Sequence, residues 1–171
     1  MVRGTEAHVG KSGGLEEGLA VAMNREGAPI QRDVNTGSWS SWYAMLEFHG
    51  KLLDCTHHGR MGQRAHTRAG YAKHYAHDIW TERVLRGERP PDLAVRSHYH
   101  TFEDSGPQHP TRPTTRLIQT PAYQLKSAYA HKVVPESLAD IGDITVVIRP
   151  DSSMDVYPCV FSPSRGETWK P

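Results

Sequence analysis

Two histidine clusters dominate the chemistry this sequence can offer. Ser97-His98-Tyr99-His100 follows the short apolar run Leu93-Ala94-Val95, and Asp54-Cys55-Thr56-His57-His58-Gly59 closes another strand-like stretch. A strand that ends in His-x-His carries two imidazoles to one sheet edge, and the turn beyond it lets both converge on a metal. A third group, Gly4-Thr5-Glu6-Ala7-His8, follows the apolar start of the chain. Neutral imidazoles beside a carboxylate suit Zn²⁺, Mn²⁺, Fe or Ni, and one or two such ions can bring the pKa of bound water to about 7. The pattern is that of a metal-dependent hydrolase site, or of what remains of one. It predicts that His57, His98 and His100 meet at the ends of neighbouring strands, with His58 as the substitute ligand. His8, if it ligates nothing, would act as general acid to a leaving oxygen. Arg60 and Arg96 flank the clusters and could grip a phosphate in bidentate fashion, although a surface arginine is the commoner role.

The rest of the composition narrows the setting. The chain has 171 residues, enough for a single domain over 1–171 with a real core. Its mean hydropathy of −0.61 describes a polar chain. No run approaches the ~18 apolar residues of a membrane span, and no basic-then-apolar leader opens the sequence. A net charge of +1 argues against a dominant electrostatic nucleic-acid surface. Cys55 and Cys159 are too few for a disulfide framework, so a cytoplasmic location is expected, host-cell cytoplasm if the chain is phage-encoded. Of the 11 histidines, four lie in the two clusters, and His49, His66, His74, His77, His109 and His131 are read as ordinary surface polarity.

Elements able to position these residues can be read in order. Leu15, Leu19, Ala22 and Met23 recur at helical spacing after a capping Ser12, with Glu16 and Glu17 in the first turn, predicting a helix at about 13–25. Trp39 to Phe48, a turn at His49-Gly50, and Lys51 to Thr56 read as a hairpin delivering His57 at its exit. Thr67 to Arg86 reads as the best helix, with Ala72, Tyr75, Ala76, Ile79, Trp80 and Val84 on one face and Gly87 and Pro90-Pro91 as its stop. Of that face Ala72, Tyr75, Ile79 and Trp80 are to pack on the sheet, with His74 and Arg83 on or near the solvent face. Leu93 to Arg96 is a short buried strand reached by that helical crossover. Residues 103–115 read as loop. Ile144 to Arg149 and Met154 to Phe161 read as a closing hairpin around Pro150-Asp151-Ser152-Ser153. Strand, helix, strand in that order predicts an α/β layered fold with ligands at the strand C-terminal ends.

The order of motifs resembles the C-terminal half of the calcineurin-like metallophosphoesterases, nearest to phage-type members with Arg3-Gly4-Thr5-Glu6-Ala7-His8 in place of Gly-Asn-His. The resemblance spans roughly Arg3 to Thr101. It implies a β-sandwich flanked by helices, of which this chain would be the C-terminal part, with His57 and His98 on one metal and His100 on the other. It also implies that His8 matches the family's transition-state histidine and that Thr5 or Glu6 stands in for the usual asparagine ligand, Glu6 being the better oxygen donor. Ser97 replaces the usual glycine. The family's first two motifs, Asp-x-His and Gly-Asp, have no counterpart here, and the bridging aspartate goes with them.

Three functions follow as expectations. The first is phosphodiester or phosphomonoester hydrolysis by metal-activated water, impaired by the missing motifs, on a phosphate-ester substrate that includes nucleic acid among its candidates. The second is a non-catalytic metal-binding remnant that pairs with itself or with a partner chain supplying the N-terminal half, away from any membrane. A weaker third is an HNH-like nuclease, suggested by His57-His58 and the histidines of 66–77, but without the asparagine that motif wants. The expected chain is therefore short, split from a longer protein, or begun after its first motifs.

Overall fold

The computed structural model describes residues 1–4, 13–60, 67–107, 114–123 and 138–163. Helix α1 (Gly14–Arg25) fills the first expected helical segment, but its entry differs. The N-cap position is Gly13 in the left-handed region with no side-chain cap, and Ser12 lies outside the described residues. Glu17 anchors the helix instead. Its carboxylate accepts the amides of Trp39 and Ser40 and the Ser40 hydroxyl (2.8, 2.9 and 2.6 Å), and these bonds hold its pKa below the usual carboxylate range.

Strands β1 (Tyr43–Phe48) and β2 (Lys51–Thr56) form the expected antiparallel hairpin. His49 and Gly50 both take positive φ (45° and 76°), the combination a two-residue turn needs to match strand twist. Helix α2 (Arg68–Leu85) then crosses over the sheet. Gly87, at φ 69°, closes it, with the Glu88 amide donating back to the Arg83 carbonyl. Strand β3 (Leu93–Arg96) returns parallel to β2. Two short strands were not foreseen. β4 (Glu103–Asp104) lies inside the expected loop, and β5 (Arg116–Gln119) runs parallel to β3 and antiparallel to β4. The Arg116–Asp104 ion pair at 2.5 Å ties the last two together.

The five-stranded mixed sheet has the order β1-β2-β3-β5-β4, and β6 (Ile141–Ile148) and β7 (Met154–Phe161) form a separate two-stranded sheet. An α/β fold follows, with one layer on each face of the larger sheet. On one face Ala72, Ala76 and Ile79 of α2 pack on Ala94 and Leu117, with Tyr75 beside them. Ala76 takes its expected place in this stripe, whereas Trp80 is half-buried outside the cluster and Val84 is exposed. On the other face Leu53, Leu93 and Ile118 meet Ile144, Val146 and Val156 of the β6–β7 hairpin. The two hairpin tips also touch, where the Ser152 hydroxyl donates to the His49 carbonyl at 2.6 Å. At the N-terminal end of the parallel strands Asp92 accepts the Leu52 amide and the Lys51 ammonium, both at 3.0 Å.

Candidate metal centre

Parallel pairing sets β2, β3 and β5 in step, so that Thr56, Arg96 and Gln119 end their strands side by side. The residues that follow therefore leave the same sheet edge together, the place where open α/β sheets hold ligands. The Ser97 amide donates to the His57 carbonyl at 3.1 Å and the Thr120 amide to the Arg96 carbonyl at 2.8 Å, which carries the ladder one residue past the strands. Tyr99 spans the two loops, its hydroxyl 3.2 Å from the Gly59 carbonyl. Gly59 permits this approach: a Cβ there would stand 3.0 Å from the Arg96 side chain.

The outcome is a group of three imidazoles, His57, His58 and His98, whose ligand atoms all lie within 4.8 Å of one another. His57 and His98 are half-buried and His58 is exposed. His98 Nδ1 and His57 Nε2 are 3.3 Å apart. Two nitrogens bound at ~2.0–2.1 Å to a tetrahedral zinc stand about 3.3 Å apart, so this pair has the spacing of adjacent ligands. The donor set is all neutral nitrogen, which suits Zn²⁺ and the later first-row metals better than magnesium or calcium. His98 has φ 80° and His100 φ 56°, backbone that side-chain-bearing residues rarely adopt and that concentrates at functional sites.

The sequence-predicted residues fare differently. His57 and His98 come together. The third member is His58, the substitute ligand, and not His100. Positive φ at both His98 and His100 breaks the two-residue alternation that would have sent their rings the same way. His100 instead joins the scaffold through its carbonyl, which accepts the Asp140 amide at 2.9 Å. Asp140 in turn receives the Phe102 amide and the Ser162 hydroxyl (2.8 and 2.6 Å), fixing the loop after His100. Glu6 and His8 lie outside the described residues.

Arg96 is a correction. Its residue is 4% exposed, and the guanidinium is bound to the Asp54 carboxylate (2.7 Å) and to the Asp54 and Val95 carbonyls. Burial lowers its pKa, but the Asp54 charge and hydrogen bond outweigh this and hold it above the usual arginine value. Through Nη1 this guanidinium is a buried strut between β2 and β3 rather than a surface arginine, and with Arg60 it lines a cavity of about 230 Å³. Arg60 remains on the flank, its side chain 67% exposed, 3.7 Å from Asp78 and 5.6 Å from the Tyr75 ring centre. Arg83, expected near solvent, reaches back to the Tyr43 hydroxyl at 2.6 Å and lies 4.0 Å from Asp54. Burial pushes the Cys55 thiol up, with the Asp54 charge adding to it, so Cys55 stays a protonated core side chain rather than a thiolate ligand.

Compared with family models, with curated proteins and with solved structures, the chain finds no match in any of the three.

Proposed function

We propose that the chain is a metal-dependent phosphoesterase whose ion is held by His57, His58 and His98, and that it acts on phosphodiesters or phosphomonoesters as the metallophosphoesterase-like motif order implies. The observation that carries this reading is the convergence of three imidazoles at the C-terminal edge of the parallel strands, on backbone partly in the left-handed region. A bound ion would supply Lewis acidity and positive charge to the phosphoryl oxygens. The chain's own contribution is to hold the imidazoles: the Ser97–His57 backbone bond sets the two loops in register and Tyr99 clamps them at Gly59. In hydrolysis a water oxygen bonds to phosphorus, the ester P–O bond breaks, and a proton ends on the departing oxygen. His8 is the expected donor of that proton, and Arg60 the arginine available to a phosphate.

A second reading is favoured by one feature. The metal-capable group among the described residues contains no carboxylate, so nothing in it bridges two ions as the two-metal clamp requires. That favours a chain that binds one ion and turns over slowly or not at all unless further carboxylate ligands join the site. Calorimetric titration of the chelator-treated protein with Zn²⁺ and Mn²⁺ tests the shared premise. One ion per chain is expected, with affinity falling at least tenfold in His57→Ala and in His98→Ala and little changed in His100→Ala. Unchanged affinity in the His57→Ala/His98→Ala double variant would overturn the metal site. Hydrolysis of a model phosphodiester then separates the readings: robust Mn²⁺-dependent turnover lost in His98→Ala marks a complete enzyme, and binding without turnover marks the one-ion chain.

A further inference from the structure

Beside the histidines, on the sheet face away from α2, lies a cavity of about 290 Å³. Its floor is apolar, made by Val95 and Ile118 of the large sheet and Ile144 and Val146 of the β6–β7 hairpin. Ser97 and Thr120 form the wall toward the metal centre, their hydroxyls 2.8 Å apart. Ser97 is the residue whose amide bonds the His57 carbonyl and whose chain neighbour is His98, so wall and metal centre are built from the same loop. Gly142 lets the hairpin close the cavity, since a Cβ there would fall 2.0 Å from the Cys159 carbonyl. Asp143 and Tyr123 stand at the rim, and the Tyr123 ring is exposed.

The chemistry of this lining is selective. Among the described residues no cationic one lines the cavity, and its polar atoms include the Ser97 and Thr120 hydroxyls, so an uncharged group with a polar edge is favoured over a phosphate. An apolar floor with two convergent hydroxyls fits a planar ring system, with the exposed Tyr123 at the rim available to stack on it and Ser97 and Thr120 to meet its polar edge. We propose that this cavity binds the base of a nucleoside phosphate ester while the phosphoryl group lies at the histidines. The inference rests on the phosphoesterase reading for its substrate, but base binding itself needs no ion.

Methyl NMR of the isotope-labelled full chain, free of metal, tests it with adenosine and, as control, inorganic phosphate. Saturable shifts are expected at the Ile118, Ile144 and Val146 methyls with adenosine and not with phosphate. Thr120→Val, which removes a wall hydroxyl without changing the side chain's shape, should weaken adenosine at least fivefold, and His98→Ala should leave it unchanged. With Zn²⁺ added, adenosine monophosphate should bind at least tenfold tighter than adenosine, and this gain should vanish in His98→Ala. Absence of saturable shifts at these methyls, or equal binding by Thr120→Val, overturns the base site whatever the metal does. Base binding with no Zn²⁺-dependent gain from the phosphate overturns the pairing of the two sites. Failure of Zn²⁺ binding in calorimetry strikes the phosphoesterase reading and the pairing with it, and leaves base binding to be judged on the metal-free shifts.

Discussion

Asp54 and Arg96 sit within the β2–β3 ladder, and His57, His58 and His98 sit one or two residues beyond it, yet the two groups do opposite work. Inside the ladder the strands leave each side chain a fixed direction and no water. A charge there must be paired, and Arg96 and Asp54, each with a 5% exposed side chain, pair with each other. Past the ladder the backbone turns, side chains escape the alternation, and three like groups face one another at the surface. Polar residues at a strand end are therefore structural or chemical according to which side of the last ladder bond they fall.

The sharpest way to break this contrast is to remove one partner from each group. Asp54→Ala strands the Arg96 guanidinium in the core and should cost about 3–5 kcal/mol in denaturant unfolding. His57→Ala or His98→Ala in metal-free protein should cost about 1 kcal/mol or less, the scale of a partly exposed site. Equal costs would erase the distinction. Zn²⁺ at about a hundredfold over its Kd should then stabilise the wild type by about 2.7 kcal/mol and leave His98→Ala unmoved, read as a shift in the unfolding midpoint.

Gly59 joins the two groups, because the loop bearing His57 and His58 rests on the Arg96 stem. Gly59→Ala should cost about 1–3 kcal/mol by overpacking and also weaken Zn²⁺ binding, since the loop must lift. A loss of stability with metal affinity intact would uncouple strut from site. The smallest effect is expected at the far end of the same strands. Burial would raise the Asp92 pKa, but the Leu52 amide and Lys51 hold it below the ordinary aspartate value. A carboxyl depressed in the folded state adds stability above its unfolded pKa and loses it as pH falls through the folded one. Acid titration of stability should therefore steepen just below the ordinary aspartate range, and Asp92→Asn should flatten that limb without changing Zn²⁺ affinity at neutral pH.

Much of the scaffold was legible. Both helices and both hairpins follow from spacing and turn residues, and the crossover from β2 to β3 follows from their order. β5 escaped because only Leu117 and Ile118 are apolar in a four-residue strand flanked by Arg116 and Gln119, too short to show a period. The apolar residues that marked α1 proved to be a signal of helix rather than of core, since Leu15 and Leu19 are exposed and Ala20 is the residue buried. At the site, strand-end position found His57 and His98. It favoured His100 over His58, whereas the group that forms contains His58, because that choice turns on left-handed backbone at His98 that no spacing reveals. It also misjudged Arg96, whose partner Asp54 lies 42 positions away in sequence.

The touch between the hairpin tips, His49 to Ser152, spans 103 positions of chain and has a kinetic consequence. Each hairpin is sequence-local and can close in about 1–10 μs, whereas the parallel pairs wait on the closure of long loops. The histidines belong to the late class, since they meet only when β3 has docked on β2. A ligand that recognises contacts absent from the rate-limiting barrier slows escape from the native state and leaves its formation rate alone. Zn²⁺ should accordingly lengthen the unfolding limb of a chevron and leave the refolding limb where it was, making the ion a lock on the finished fold rather than a template for building it.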